Sequence, residues 1–146
     1  CSAVTVASAD LAALYVLIRT FEGCRLMPYL CPAGVWTCGW GSTGPDVVPG
    51  QPWTQEYADR RMQQDAMRFA RGTLALCPGL AGTRLSAIAD FAYNVGLGAL
   101  QASTLRRKVN SREWDEAKTQ LMRWVRGGGR VLPGLVRRRK AEADLI

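Results

Sequence analysis

The chain has 146 residues, 48% of them hydrophobic, and a formal net charge of +7; that is the size of one domain, which buries roughly 68–70% of its unfolded surface and needs no metal or disulfide merely to fold. It contains no histidine, which excludes Ser-His-Asp and Cys-His catalysis and His-ligated zinc, and leaves proton transfer to carboxylates, cysteine, tyrosine or lysine. No run of about 18 apolar residues occurs, so a soluble globular domain is expected, and the excess of Lys and Arg favours anionic polymers or surfaces.

Residues 1–9, CSAVTVASA, are small, mildly apolar and uncharged. They are expected to be an N-terminal tail, either a cloned boundary or the trimmed end of an export or membrane-anchor segment, ahead of a domain at 10–146. Asp10 is placed to cap a helix with Leu11, Leu14, Tyr15 and Ile18 on one face. Gly23 stops that helix just after Phe21 and Glu22. Glu22 lies three turns beyond Leu11 and so emerges on or beside the buried face.

Residues 24–53 change character. Seven glycines and prolines fall between 28 and 45, interleaved with Val35, Trp36, Thr37 and Trp40, which predicts short twisted strands and turns. Thr54 then caps a long helix to about Leu76, with Ala58, Met62, Ala66 and Phe69 on one face. Further helices are predicted from Thr83 to Val95, near 103–109, after an Asn110/Glu113 capping box, and from Pro133. Gly96-Leu97-Gly98 reads as a break and Gly127-Gly128-Gly129 as a flexible loop. The fold class is therefore α+β: a small β-rich N-terminal lobe, a connecting long helix and a helical C-terminal lobe.

Three residues around the first turn of the strand lobe form a constellation with chemistry in it: Glu22, Cys31 and Thr37. Hydrolysis of a glycosidic bond needs a protonated acid at the leaving oxygen and a polar group that holds or deprotonates water across the sugar. A glutamic acid at the end of an apolar helix suits the first task, because desolvation raises its pKa. Polar side chains on a hairpin suit the second. The competing reading of Glu22 is a structural carboxylate paired with its neighbours.

The segment FEGCRLMPYLCPAGVWTCGWGST resembles the active-site hairpin of the phage-type lysozymes. That family carries Glu, eight residues, Asp or sometimes Cys, five residues, then Thr; Glu22, Cys31 and Thr37 reproduce the spacing. SAIADFAYNVG is similar to the family's second-lobe signature, and RVLPGLVRRRKAE to the entry of its C-terminal helix. The likeness runs over about residues 12–144. It implies a lysozyme-like fold and an endolysin that hydrolyses, with inversion, the β-1,4 bond between N-acetylmuramic acid and N-acetylglucosamine, without cofactor or metal. Cys31 stands where most members have Asp. An ordinary thiol, with pKa near 8.5, is largely protonated at pH 7, so Cys31 is read mainly as a group that positions water, with Thr37 binding the same water.

The resemblance also bears on the other cysteines, Cys1, Cys24, Cys38 and Cys77, among which no CxxC pair suggests a zinc ribbon. Some exported members hold the catalytic thiol in a disulfide until an N-terminal signal-anchor segment leaves the membrane. Cys24, Cys31 and Cys1 are similar in placement to blocker, catalytic thiol and liberator, with a tail thiol and a packing residue as the plainer reading of Cys1 and Cys24. Cys38 and Cys77 suggest only burial. The same likeness implies export to the host periplasm, transient inner-membrane association, peptidoglycan glycan strands as partner, no nucleic acid, and a monomer.

Tyr93 and Asn94 are weaker candidates for sugar contact. Arg137, Arg138, Arg139 and Lys140 read as a solvated basic face that could approach an acidic wall polymer. Two rival functions stand: a lytic transglycosylase, which needs no water-holding partner, and a basic wall-binding module without turnover.

Overall fold

The computed structural model describes the backbone from Ser8 to Ile146 and side chains from Leu11 onward. Cys1 and the greater part of the expected tail lie outside the described residues. The chain divides into two compact units: residues 18–65, and the remainder.

Helix α1 spans Ser8–Glu22, starting before Asp10 rather than after it, and buries Leu11, Leu14 and Ile18 as their spacing requires. Three strands follow in the smaller unit: β1 Arg25–Leu30, β2 Trp36–Gly39 and β3 Ser42–Thr43, antiparallel in the order β1-β2-β3. Helix α2, Gln55–Leu76, begins in this unit. Its cap is as predicted: the Thr54 hydroxyl accepts from the Tyr57 N–H at 3.1 Å. The unit's own core is small, with Cys38, Val47, Trp53 and Ala58 buried together and Cys24, Leu26, Trp40 and Tyr57 packed against them. Around it Arg61 pairs with Asp46 and Asp65, and Ser42 donates to Asp65 at 2.7 Å.

The larger unit is helical. Helices α3 Gly82–Val95, α4 Leu97–Ala102, α5 Thr104–Asn110, α6 Trp114–Leu121 and α7 Pro133–Ala143 enclose a core that includes Leu85, Ile88, Phe91, Leu100, Leu105 and Leu121. A two-residue hairpin joins β4 Arg126–Gly127 to β5 Arg130–Val131.

Several local expectations are corrected. Gly96 does break the chain, with φ 101°, but Leu97 at once starts α4, because Leu97 and Leu100 both have core to cover. Asn110 ends α5 instead of capping α6; its amide donates to the Leu76 carbonyl at 3.0 Å. Glu113 takes the N-cap position of α6 with no side-chain cap bond, and Trp124 lies beyond that helix. The glycine triplet is a tight turn: Gly128 and Gly129 both have positive φ, as a two-residue hairpin demands.

The basic face of α7 is also corrected. Arg138 and Arg139 are buried, at 3% and 0% exposure, while Arg137 and Lys140 are exposed. Arg138 donates twice to Asp90, at 2.9 and 2.8 Å. Arg139 lies 2.9 Å from Glu142 and stacks over Phe91. Burial works against the Asp90 carboxylate, but the Arg138 fork outweighs it and holds Asp90 below the usual carboxylate range. Burial, then the neighbouring Asp90, pushes Glu142 well above that range.

Candidate active site

Glu22 is the last residue of α1, and Gly23 leaves the helix with φ 67°. The half-buried Glu22 carboxylate reaches the β2–β3 turn, where a Cβ on Gly41 would lie 3.1 Å from Oε1 and 3.3 Å from Oε2. Gly41 itself has φ 90°. The turn thus keeps a glycine where a side chain would press on the carboxylate.

Cys31 follows β1 directly. Its N–H donates to the Val35 carbonyl at 3.0 Å, and its carbonyl accepts from Gly34 at 2.8 Å. Gly34 has φ 79°, so a three-residue loop with a left-handed last residue closes the β1–β2 hairpin. The backbone N–H groups of Val35 and Ala33 draw the Cys31 thiol below its ordinary value, burial opposes them weakly, and the Thr37 hydroxyl and the Gly34 N–H add to the lowering.

Thr37 is 5% exposed on β2, with its hydroxyl 3.0 Å from the Val35 carbonyl. That hydroxyl donates its proton to the carbonyl. Thr37 pairs across the sheet with Tyr29 on β1 and Thr43 on β3.

Tyr29 is the residue that sequence reasoning missed. Burial raises its phenol pKa most, and the charges of Glu22 and Cys31 raise it further, while Arg25, stacked 4.3 Å over the ring, lowers it. Glu22 and Cys31 therefore share a neighbour. The available signal was alternation: Tyr29 is two residues before Cys31, on the same face of an extended strand.

Cys24, Cys31, Cys38 and Cys77 are free thiols. Cys24 lies beside Gln55, whose amide nitrogen is 3.6 Å from the sulfur, and burial raises its pKa. Cys38 is buried with its thiol 3.2 Å from the Leu26 carbonyl. Burial pushes Cys77 up to about 11. Tyr93 and Asn94 sit in the helical unit on α3: Tyr93 packs on Phe69 at 5.3 Å, and Asn94 Oδ1 accepts from Arg139 at 2.8 Å. Among the described residues no cluster of Cys, Asp or Glu is arranged to hold a metal ion.

An α+β fold with a small three-stranded sheet and a helical unit is lysozyme-like. The phage lysozyme family profile matches residues 19–142, and the chain belongs to that family, whose members are peptidoglycan-degrading muramidases. It is 36% identical over 137 residues to an endolysin of Acyrthosiphon pisum secondary endosymbiont phage 1, covering 90% of this chain and 92% of that one. It is 36% identical to the endolysin of Bacillus phage B103, with 89% of this chain matched to 51% of that longer protein. A SAR-endolysin of Bacteriophage PS119 is 36% identical over 125 residues, covering 85% and 75%. Among solved structures, the muramidase domain of SpmX from Asticaccaulis excentricus superposes with TM-score 0.83 at 29% identity, covering 94% and 96%. The active form of P1 phage endolysin Lyz gives 0.80 at 28%, covering 92% and 82%.

Proposed function

We propose that the chain cleaves the β-1,4 bond between N-acetylmuramic acid and N-acetylglucosamine of peptidoglycan, with inversion, using its own side chains alone. Glu22 protonates the leaving glycosidic oxygen. Cys31 and Thr37 hold the attacking water on the opposite face of the sugar. The observation that carries this reading is the half-buried Glu22 carboxylate lodged against the β2–β3 turn of the same sheet whose β1–β2 loop bears Cys31 and whose strand β2 bears Thr37. A Cys31 thiol drawn below its ordinary pKa tolerates negative charge at the position where most family members have a carboxylate.

Relatives named SAR-endolysins support export to the periplasm and release from a membrane anchor; among the described residues no helix is long and apolar enough to cross a membrane. The redox reading acquires a structural requirement. Cys24 and Cys31 flank the six residues of β1, which extend roughly 20 Å, whereas a disulfide needs Cα atoms about 4.4–6.8 Å apart. A Cys24–Cys31 bond and an intact β1 exclude one another. The locked form is thus a protein whose active-site hairpin is undone, and capture of Cys24 by Cys1 lets the strand form.

Mass spectrometry of digested peptidoglycan, with NMR of the first anomer released, tests the chemistry. Reducing-end N-acetylmuramic acid of inverted configuration is the expected product. 1,6-Anhydro ends would make the chain a lytic transglycosylase, and intact glycan would make it a binding module.

A further inference from the structure

In the helical unit, at the junction of α5 and α6, the chain accepts a strained residue where a glycine is usual. Helix α5 ends with the Arg112 N–H bonded to the Val109 carbonyl at 3.0 Å and the Glu113 N–H to the Lys108 carbonyl at 2.9 Å. This is the paired C-terminal closure in which the turn residue must be left-handed, a place glycine ordinarily fills. Arg112 fills it, with φ 57°, and it is the only non-glycine among the described residues with positive φ. The side chain that requires this strain is not used in the fold: among the described residues no hydrogen bond or ion pair engages the guanidinium. It extends towards Gly79, lying 3.8 Å from where a Cβ there would be.

Between them is a cavity of about 250 Å³, slightly below the roughly 300–1,000 Å³ of a drug-sized site. Its apolar lining is Pro78, Leu80, Val109 and Trp114, and no carboxylate lines it. Of the acids in the adjoining hollow, which shares Arg112 and Trp114, Glu113 and Glu116 pair with Lys108 at 3.5 and 2.6 Å, and Asp115 stands beside them. Arg84 stacks 4.0 Å over Trp114 and adds a second positive charge. Asn110 completes the lining with a determined orientation. The Leu76 carbonyl, an acceptor, already receives Arg106 Nε at 3.0 Å, so the Asn110 atom that meets it at 3.0 Å is the amide nitrogen. Asn110 Oδ1 is left as an acceptor.

We infer that this cavity is a second binding site, which takes the carboxy-terminal end of a short peptide with small apolar side chains. Arg112 receives the carboxylate as a charge-assisted donor, Asn110 Oδ1 accepts the adjacent peptide N–H, and methyl-sized side chains rest on Leu80, Val109 and Trp114. Alanine-ended stem peptides of peptidoglycan have this chemistry; that choice of source rests on the proposed function, whereas the pocket does not.

The test is an NMR titration of the Glu22→Gln protein, which removes turnover, with acetyl-D-alanyl-D-alanine, its carboxy-terminal amide, acetate and inorganic phosphate as separate probes. The free acid is expected to shift backbone signals of residues 78–80 and 109–114. The amide should bind at least tenfold more weakly, as expected for losing a hydrogen bond to a charged group, and acetate and phosphate weaker still. Arg112→Gly is expected to raise the thermal midpoint by relieving the left-handed strain, to weaken peptide binding at least tenfold, and, in a background with Glu22 retained, to leave hydrolysis of peptide-free glycan strands of alternating N-acetylmuramic acid and N-acetylglucosamine unchanged. No shifts in those segments, equal binding of the amide or of acetate, or unchanged binding by Arg112→Gly would overturn the site. Wall hydrolysis persisting without peptide binding removes this pocket alone; peptide binding without any wall hydrolysis removes the proposed function alone.

Discussion

The Glu22 carboxylate lies where the side chain of residue 41 would begin: a Cβ on Gly41 would sit 3.1 Å from Oε1. A methyl group there meets the free end of a side chain, so the carboxylate yields rather than the backbone. Gly41→Ala should therefore move the acid. It should lower kcat by about 10²-fold, the scale of a 1 Å misplacement, and cost about 1–2 kcal/mol for a left-handed alanine. Steady-state hydrolysis and thermal melts check both numbers. Full activity in a folded Gly41→Ala protein would mean that Glu22 needs no fixed position.

Cys31 should be the most reactive described thiol. Donors from Val35, Ala33, Thr37 and Gly34 lower its pKa, while burial raises those of Cys24, Cys38 and Cys77. Site-resolved alkylation against pH should give Cys31 a midpoint below that of an ordinary cysteine and Cys24 one above it. Cys31→Asp should stay active and resist oxidants; Cys31→Ala should lose most activity. An alanine variant as active as the parent removes Cys31 from the mechanism.

The exclusion between β1 and a Cys24–Cys31 disulfide makes the locked state visible. Protein carrying that bond should lose hydrogen-exchange protection along the Leu30–Trp36 and Tyr29–Thr37 pairs and be inactive, with a reductant restoring both. Cys24→Ser should need no activation. Protected β1 amides in the oxidised protein would contradict the proposed lock.

Much of this architecture is legible in one sequence because it is set locally. Leu11, Leu14 and Ile18 mark α1, Thr54 caps α2, and the Glu22–Cys31–Thr37 spacing spans a single helix end and hairpin. What escapes is set by partners far along the chain. Nothing near Arg138 indicates that Asp90, 48 residues away, neutralises it, so a run of four cations reads as surface. Asn110 looks like a cap until the Leu76 carbonyl claims its amide. Tyr29 carries no motif; alternation puts it on the face of Cys31, and only the fold brings Glu22 to it as well.

The buried and the exposed members of the RRRK run should differ sharply on mutation. Arg138→Ala leaves Asp90 buried without its fork and should cost about 3–5 kcal/mol. Arg137→Ala, on the exposed side, should change stability by no more than about 0.5 kcal/mol. Chemical denaturation of both separates a buried pair from a solvated face.

The same cluster gives stability a pH dependence with two signs. Glu142 has a raised pKa in the fold, so the folded state holds its proton longer; this contribution is complete below the unfolded glutamate value of about 4.3 and is lost as pH rises above it. Asp90 has a lowered pKa; its contribution is complete above the unfolded aspartate value of about 3.9 and is lost as pH falls below it. Glu142→Gln should flatten the decline on the alkaline side and leave the acid limb in place. Denaturation midpoints measured from about pH 2 to about pH 8, which brackets both unfolded values, follow both limbs.

The most direct test of the account is the turnover of Glu22→Gln on purified peptidoglycan, with circular dichroism and thermal melting as controls for folding. Gln keeps the shape of the side chain and cannot donate the proton, and general acid catalysis contributes about 10²–10⁴-fold. The account predicts a folded protein that binds glycan and releases no new reducing ends above that residual level. A folded Glu22→Gln protein that hydrolyses peptidoglycan at the parent rate would contradict it.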